Sequence, residues 1–491
     1  MLFNLRVVVN VSWCCLALAA VMSTGCAETP AADVAASPAS VTQDVAPSAV
    51  TEIARAKQAE LAAIHQPTSR PDRIILTWAG DPARSQAVTW RTDPSVRTAL
   101  AEIAVAGDNG QFVKRARQLK ARTSSLTTDL ATAHYHSVEF AALVPDTKYA
   151  YRVGDGSTWS EWFHFTTAST EPEPFSFIYF GDAQTEIKSL WSRVIREAAT
   201  TAPRARFLIH AGDLVNNSTR DAEWGEWFQA GGWLNAMIPS MPTPGNHEYQ
   251  SKPATGQTSS LTDFWRPQFT LPENSLEGLA ETAYFIDFQG TRIISLNSNE
   301  KQAEQATWLD VILKDNPCRW TIITFHHPIY SATRLRDNAK LRAQWQPVFD
   351  HYRVDLVLQG HDHTYARSGL VDGQVAVAGG KNEAVGVTGR SETGGTVYVV
   401  SVSGPKMYDL EKPFRPQFQR VAEDVQLFQV ISIDGGELRY EARTATGALY
   451  DGFTLRKRAG LPNEMIEQIP VTPQRLRPPR PPAIPAPPLP T

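Results

Sequence analysis

Two different patterns of hydrophobic and polar positions divide the central part of the chain. Between about Pro71 and Thr167, short β-rich segments such as IILTW, AVTWRT, SVEF and YAYRV are separated by turn-forming residues. That spacing predicts an all-β sandwich. After the acidic linker TEPEP, apolar runs such as FSFIYFGD, ARFLIHAGD and VDLVLQGHDH end in polar turns and alternate with helical stretches. The second pattern predicts an α/β layered domain.

The two ends of the chain have compositions typical of unstructured segments. Residues 27–66 are rich in Ala, Pro, Ser, Val and Thr, with an Ala-rich helical patch at Glu52–Ile64, and are predicted to be a flexible tether. The chain ends in RLRPPRPPAIPAPPLP, which favours extended polyproline II, and residues 458–491 are predicted to be a disordered tail. The β-sandwich is placed at residues 67–168 and the α/β domain at residues 172–457.

The first 26 residues predict export. Arg6 precedes an apolar run, Val7–Met22, that is too short and too interrupted for a membrane span and is typical of a signal peptide. The sequence STGC at Ser23–Cys26 resembles a bacterial lipobox, in which Cys26 is lipidated. We therefore expect a lipoprotein, held at a membrane in the periplasm or at the cell surface. Simple signal cleavage nearby is the alternative.

Composition narrows the classes of function. The formal net charge of −4 gives no basic field for nucleic acid, so local cations or metals must hold any anionic substrate. No protein partner is evident. The signal peptide would remove Cys14 and Cys15, and Cys26 would carry lipid. Only Cys318 then remains, so the mature chain is expected to have no intramolecular disulfide.

Five segments place Asp, Asn or His just past an apolar strand. In chain order they are GDAQ at Gly181–Gln184, GDLVN at Gly212–Asn216, GNHE at Gly245–Glu248, HHPIY at His326–Tyr330 and GHDH at Gly360–His363. A glycine before the ligand lets the backbone turn sharply toward a shared centre. Carboxylate, amide and imidazole groups without thiolate suit iron, manganese or zinc. The set is too large for one tetrahedral zinc and suits two metal ions that share a bridging carboxylate.

This ordered set resembles the metallophosphoesterase superfamily, also called calcineurin-like phosphoesterases. The segment LVPDTKYAYRVG, with Leu143, Pro145, Thr147 and Tyr149 at alternate positions, resembles the tyrosine corner of fibronectin type III modules. Together the two features resemble the purple acid phosphatase branch. The resemblance implies a fibronectin III-like sandwich, a four-layer αββα catalytic domain with a dinuclear metal centre, and hydrolysis of phosphate monoesters by a metal-bridging hydroxide.

The resemblance also implies roles for individual residues. The implied metal ligands are Asp182, Asp213, Asn246, His326, His361 and His363. Asp213 would bridge both metals, Asp182 and His363 would belong to the first site, and the other three would hold the second. His247 would protonate the leaving group, or only orient Asp213 or phosphate. His327 and Tyr330 would either line the substrate pocket or pack around a strand end.

The sequence departs from the family pattern at two positions. The purple branch has a metal-binding Tyr where this chain has Asn216, and the wider superfamily has a His where this chain has Gln184. The first metal would thus lack the usual extra ligand, and an amide oxygen from either residue, or water, would replace it. Because no tyrosinate is present, we expect a colourless enzyme with a weaker preference for Fe(III).

Three classes of function follow for this chain. The first is a phosphomonoesterase acting on a small phosphorylated substrate outside the cytoplasm, and the second is a phosphodiesterase of the same fold. The third is a non-catalytic binding or adhesion protein with a degenerate metal site, which Gln184 and Asn216 favour. Retention of all six implied ligands and His247 argues against the third class.

Overall fold

The computed structural model describes residues 49–252, 257–373, 394–413 and 417–478. The predicted signal peptide with Cys26, the first part of the predicted tether and residues 479–491 of the predicted tail lie outside the described residues. The described residues from Ala54 onward belong to one compact unit. Among the described helices, none is long and apolar enough to cross a membrane.

The N-terminal domain is a β-sandwich of two four-stranded sheets, with strand orders β1-β2-β6-β5 and β4-β3-β7-β8. Its strands are β1 (Asp72–Thr77), β2 (Gln86–Thr92), β3 (Leu100–Val105), β4 (Arg117–Lys120), β5 (Arg122–Thr127), β6 (Thr132–Phe140), β7 (Lys148–Gly154) and β8 (Phe163–Thr166). Trp90 is fully buried in the core between the sheets. The Tyr149 hydroxyl accepts a hydrogen bond from the backbone N–H of Val144 at 2.9 Å, which is the tyrosine-corner contact.

The α/β domain, named the catalytic domain for the role that the resemblance implies, contains two seven-stranded mixed sheets. The first catalytic sheet, ordered β11-β10-β9-β21-β22-β23-β24, consists of β9 (Phe175–Phe180), β10 (Leu208–His210), β11 (Ser240–Pro242), β21 (Leu427–Asp434), β22 (Glu437–Thr444), β23 (Leu449–Arg458) and β24 (Leu461–Glu467). The second catalytic sheet, ordered β14-β15-β16-β17-β19-β18-β20, consists of β14 (Tyr284–Phe288), β15 (Thr291–Ser295), β16 (Trp320–Phe325), β17 (Leu356–Gln359), β18 (Tyr365–Val371), β19 (Thr396–Val400) and β20 (Phe418–Ala422). A separate hairpin pairs β12 (Tyr249–Lys252) with β13 (Gln257–Leu261).

Helices cover the outer faces of both catalytic sheets. The α-helices are α1 (Ala49–His65), α2 (Ser192–Thr201), α3 (Asp221–Gly231), α4 (Trp265–Gln268), α5 (Gln302–Lys314) and α6 (Ala339–His351). On the first sheet, Val194 of α2 and Trp227 of α3 are buried in one cluster with Phe180 of β9. On the second sheet, Leu309 of α5 and Trp345 of α6 are buried with strand residues such as Ile323. The α-β-β-α layering that was predicted is confirmed.

Two predicted segment boundaries differ from the structure. The predicted tether ends in α1, whose last residue, His65, is buried and accepts a hydrogen bond from Arg91 at 2.9 Å. The predicted tail begins at residue 458, yet β24 continues the sheet by pairing antiparallel to β23. Pro462 does not prevent this pairing, because it stands near the start of an edge strand, where a missing N–H donor is tolerated.

Parallel pairing explains why distant motifs meet. Strands β9, β10 and β11 run parallel to one another, and so do β15, β16 and β17. Each of the five motifs that end in potential ligands follows one of these strands. The carboxyl ends of parallel strands lie at the same edge of a sheet, so loops of the two catalytic sheets bring the motifs to one place.

Candidate metal centre

The first group of potential ligands consists of buried carboxylates and imidazoles at the strand ends. Ligand atoms of Asp182, Asp213 and His326 all lie within 4.8 Å of one another. His326 Nε2 lies 3.2 Å from Asp213 Oδ2, and His363 Nε2 lies 3.1 Å from Asp182 Oδ2. All four side chains are at most 2% exposed. The structure therefore brings together residues that are up to 181 positions apart, from both catalytic sheets.

The second group surrounds the other side of His326. His326 Nε2 lies 3.1 Å from Asn246 Oδ1 and 3.1 Å from His361 Nδ1. His327 is near enough for one of its nitrogens to join His326 and His361 in a second set within 4.8 Å. The six residues predicted as metal ligands thus surround one small region, with Asp213 and His326 in contact at its centre.

Backbone carbonyls fix which imidazole nitrogens face this region. His326 Nδ1 lies 2.9 Å from the carbonyl of Ala211, and His363 Nδ1 lies 2.8 Å from the carbonyl of Lys406. A nitrogen that donates to a carbonyl carries the proton, which leaves Nε2 of each ring as a lone-pair donor for a metal. His361 Nδ1 lies beside His326 Nε2, and a cation held between these two nitrogens fits the contact.

The electrostatics of the buried groups agree with a site for cations. Burial opposes charge on Asp182, but His326 and His363 outweigh it and hold the pKa of Asp182 below its usual range. Burial likewise opposes charge on His326, but the carboxylates of Asp213 and Asp182 raise its pKa to about 9. Positive charge is therefore favoured between these carboxylates, where a metal ion would supply more of it than a proton does.

Two of the predicted ligands have left-handed backbone conformations. The φ angles are +49° at Asp213 and +69° at His361, a region that residues other than Gly seldom adopt. The glycines of the motifs allow the close approach that was predicted from the sequence. A Cβ on Gly245 would overlap the carboxylate of Asp213, and a Cβ on Gly360 would overlap that of Asp182.

A buried carboxylate holds the two central turns in place. Glu248 accepts hydrogen bonds from the backbone N–H groups of Asp213, Leu214 and Gly245 at 2.8–3.0 Å. Burial and the Asp213 carboxylate raise the pKa of Glu248 to about 8, whereas the three N–H donors favour its ionised form. Glu248 thus fixes the turn that presents Asp213 and the turn that presents Asn246.

Sequence reasoning missed a second bracing residue, Arg336. It donates to Asp362 Oδ1 at 2.8 Å and to the carbonyl of His361 at 3.0 Å, which fixes the turn that carries His361 and His363. Ser331 donates to the same Asp362 carboxylate. Arg336 lies outside the strand-end motifs, in the loop before α6, so no local pattern marks it.

His247 lies beside the central carboxylate. Its backbone N–H donates to Asp213 Oδ1 at 2.9 Å, and its Nε2 lies 3.8 Å from Asp213 Oδ2. Its Nδ1 donates to the carbonyl of Asn216. The side chain is 26% exposed, so it borders both the buried carboxylates and solvent. This geometry leaves Nε2 available to hold a proton toward a substrate.

Comparison with known proteins agrees with the fold and the motifs. Residues 71–167 match the family of the purple acid phosphatase N-terminal domain, and residues 176–365 match the calcineurin-like phosphoesterase family. The chain is a purple acid phosphatase-like metallophosphoesterase. The predicted resemblance is thereby confirmed, and the enzyme class is a metal-dependent phosphoesterase.

Individual relatives belong to the same branch. Purple acid phosphatase 1 of Ipomoea batatas is 24% identical over 311 residues, 61% of this chain and 64% of that protein. Fe(3+)-Zn(2+) purple acid phosphatase 12 of Arabidopsis thaliana is 26% identical over 240 residues, 45% of this chain and 50% of that protein. The solved purple acid phosphatase from yellow lupin seeds aligns with a TM-score of 0.62 at 18% identity, covering 78% of this chain and 74% of that one.

The two departures from the purple acid phosphatase pattern occupy different environments. Gln184 is buried, and its Nε2 lies 2.8 Å from Asp213 Oδ2, 3.1 Å from His363 Nε2 and 3.4 Å from Asp182 Oδ2. Asn216 is exposed and contributes its backbone carbonyl to His247. Of the two candidate amides, only that of Gln184 lies among the ligands of this metallophosphoesterase.

The two residues considered for substrate binding also differ. His327 lies with its ring centroid 4.4 Å from that of His361, and its Nδ1 faces Ser298 Oγ at 2.8 Å. Burial lowers the pKa of His327 to about 3, so it is neutral at physiological pH. Tyr330 is 4% exposed, packs with Trp345 and donates its hydroxyl to Gln346 at 2.7 Å. The position of Tyr330 matches the packing alternative, and substrate binding by His327 stays a prediction.

Proposed function

We propose that this chain is an exported phosphatase with a dinuclear metal centre that hydrolyses phosphate monoesters. The observation that carries the proposal is the convergence of six potential ligands on one region. At its centre Asp213 Oδ2 lies 3.2 Å from His326 Nε2 and 2.8 Å from Gln184 Nε2. The chain matches both the purple acid phosphatase N-terminal domain family and the calcineurin-like phosphoesterase family, and purple acid phosphatase 1 of Ipomoea batatas is 24% identical to it, which supports the proposal.

The donor set fits two metal ions of the kind that was predicted. Asp182, Asp213 and His363 would hold the first ion, and Asn246, His326 and His361 would hold the second, with Asp213 shared. Oxygen and imidazole donors without thiolate fit iron, manganese or zinc. When bound, the two ions would supply Lewis acidity for the phosphate oxygens and a water of lowered pKa as nucleophile.

Gln184 supplies the missing ligand of the first site in this proposal. Its Oε1 is buried and has no hydrogen-bond partner among the described residues, while its Nε2 faces three ligand atoms. The two ends of an amide are exchanged by rotation of the terminal torsion. Rotation would place Oε1 among the ligands, where an oxygen can bind a cation and an NH₂ group cannot.

His247 provides the proton for the leaving oxygen. The Asn216 carbonyl accepts from Nδ1 and holds the ring in one orientation, so Nε2 is the nitrogen that carries the transferable proton. The partial exposure of His247 lets it return to the protonated form after each turnover.

Export is the second part of the proposal, and it rests on the sequence of residues 1–26. The full-length chain, expressed in a bacterium with a lipoprotein pathway, should yield a membrane-associated product whose first residue is a lipidated Cys26. Intact-mass analysis of the purified protein tests this. Release of a Cys26→Ser variant into the soluble periplasmic fraction is the expected result, and equal membrane association of that variant would reject lipid anchoring.

The test of function is metal analysis paired with hydrolysis of p-nitrophenyl phosphate and bis-p-nitrophenyl phosphate. We expect about two metals per chain and faster turnover of the monoester. An Asp213→Asn variant should lose metal and fall by orders of magnitude in rate. Preference for the diester would make the chain a phosphodiesterase, and full activity with full metal content in Asp213→Asn would reject the assigned centre. Absence of turnover after reloading with manganese, zinc or iron would favour a binding protein.

A further inference from the structure

A large cleft lies between the N-terminal and catalytic domains, away from the metal centre. It has a volume of about 920 Å³ and is lined by β7 and β8 of the β-sandwich and by the ends of α2 and α3 of the catalytic domain. Arg204 and Arg206 of the cleft precede β10, whereas Asp213 of the metal centre follows it. The cleft and the centre are therefore at opposite ends of this strand.

The cleft carries concentrated positive charge. Its four cationic side chains are Lys148, Arg196, Arg204 and Arg206, and no Asp or Glu is among its lining residues. Within the described part of the chain, Lys148, Arg196 and Arg204 make no ion pair. Since the whole chain has a net charge of −4, this concentration of cations is a local feature. Such a cleft attracts anions and raises their local concentration.

Arg206 is built into the wall of the cleft more firmly than a surface cation. It is partly buried and donates a hydrogen bond to the carbonyl of Thr167 at 3.1 Å, which fixes its guanidinium between the two domains. Burial lowers its pKa, although Asp146 and Glu173 oppose this effect from outside the cleft. A bound anion would offset the desolvation of this guanidinium. It would also accept hydrogen bonds from the N–H groups of Arg206 that do not donate to the Thr167 carbonyl.

One wall of the cleft is apolar and includes an exposed aromatic ring. Trp233 is 62% exposed, whereas eight other Trp residues in the described part of the chain are at most 3% exposed. Met237 and Ile238 line the cleft beside it. The volume is within the range of about 300–1,000 Å³ typical of small-molecule sites and is far larger than one phosphate group requires. The exposed indole provides a face on which a planar base can stack.

We infer that this cleft binds a nucleoside polyphosphate, with the phosphates at the four cations and the base on Trp233. The binding does not depend on the proposed hydrolysis, because none of the metal ligands or His247 lines the cleft.

The experiment is calorimetric titration of the metal-loaded protein with AMP-PNP, the imido analogue of ATP. The double variant Arg196→Glu/Arg204→Glu should bind roughly 100-fold more weakly, because two charge-assisted contacts become repulsive. The matched control is Lys314→Glu/Lys340→Glu, which changes the same charge at exposed positions on α5 and α6 of the other catalytic sheet. This control should bind as the unchanged protein does, and both variants should keep their thermal midpoints.

Two further titrations separate the cleft from the metal centre and the nucleoside from its phosphates. Asp213→Asn should bind AMP-PNP normally, so loss of binding in that variant would place the ligand at the metal centre and reject the cleft. Trp233→Ala should weaken AMP-PNP roughly 10-fold without affecting inorganic tripolyphosphate. If Trp233→Ala bound AMP-PNP and tripolyphosphate as tightly as the unchanged protein does, recognition of the nucleoside by Trp233 would be rejected. The site would be rejected if the unchanged protein did not bind AMP-PNP. It would also be rejected if Arg196→Glu/Arg204→Glu bound AMP-PNP as tightly as the unchanged protein does.

Discussion

At the scale of residues, hydrogen bonds decide which atoms of the metal centre can act. The carbonyls of Ala211 and Lys406 leave Nε2 of His326 and His363 free for metals, and the carbonyl of Asn216 does the same for Nε2 of His247. A backbone carbonyl contacts Nδ1 of each of these three rings, but the surroundings of the rings differ. Burial makes the first two suitable as ligands, whereas partial exposure makes His247 suitable for proton transfer.

We predict that His247→Ala keeps its metals and loses turnover. A general acid typically contributes roughly 10²- to 10⁴-fold, and the loss should be larger for phenyl phosphate than for p-nitrophenyl phosphate, because phenolate is the poorer leaving group. Metal content and kcat for both substrates check this. His351→Ala, at an exposed position at the end of α6, is the matched control and should change neither. Equal losses for the two substrates would contradict the acid role.

We predict that Gln184→Leu weakens metal binding, because the variant removes the amide that lies among the ligands of the first site while nearly preserving side-chain volume. The metal dissociation constant should rise roughly 10- to 100-fold. Calorimetric metal titration measures this without relying on activity. Gln184→Glu retains an oxygen and should bind at least as tightly, and Asn216→Ala is the control that should bind normally. A larger effect at Asn216 than at Gln184 would reverse our assignment.

At the scale of elements, one buried ion pair joins the two catalytic sheets. Arg367 of β18 is fully buried and donates to Asp451 of β23 at 2.7 and 2.9 Å and to Glu467 of β24 at 2.8 Å. Tyr365, two residues from the proposed ligand His363, donates to the same Asp451 at 2.7 Å. The contact with Glu467 stabilises the pairing of β24 at the sheet edge, even though the sequence of β24 lies near the Pro-rich end of the chain.

We predict that Asp451→Ala strongly destabilises the fold, because the buried guanidinium of Arg367 would lose one of its two carboxylate partners and keep only Glu467. The loss should be roughly 3–5 kcal/mol in the free energy of unfolding. Urea denaturation followed by tryptophan fluorescence measures it. Arg456→Ala removes an exposed pair with Glu437 in the same sheet and should change the midpoint little. Similar denaturation midpoints for the two variants would show that the buried pair contributes no more to stability than the exposed pair.

At the scale of the whole molecule, one set of contacts joins the two domains and another joins the two catalytic sheets. Asp221 of α3 is buried and pairs with Arg73 and Arg91 of the β-sandwich at 2.7 and 3.1 Å, which joins the two domains. The metal centre joins the two catalytic sheets, since its ligands follow strands of both. Metal binding should therefore stabilise the folded catalytic domain as well as supply the chemistry.

We predict that removal of metals by chelation lowers the thermal midpoint by roughly 3–10 °C, because ions that bind only the folded state stabilise it. Readdition of manganese, zinc or iron should restore the midpoint. Scanning calorimetry with and without chelator checks this, and Asp213→Asn is the control whose midpoint should not respond to chelator. An unchanged midpoint in the original protein would indicate that the six ligands bind no ion tightly.

The sequence by itself predicted the two-domain fold class and the residues that the structure brings together at the candidate metal centre. Each strand-end motif is local, because an apolar strand, a glycine and a short polar side chain act within a few residues, as at Gly245–Asn246 and Gly360–His361. The fibronectin-like corner at Tyr149 is equally local. Such features can be predicted because the physical causes and the pattern occupy the same stretch of chain.

Only the tertiary structure decided how those residues are used. It placed Gln184 among the ligands and left Asn216 exposed, brought Arg336 behind His361, and paired β24 with its sheet through Arg367. It also gathered the cations of the cleft from both domains. The physical reason is that each of these contacts joins residues distant along the chain, so its energy depends on the packing of whole elements and leaves no mark in local sequence.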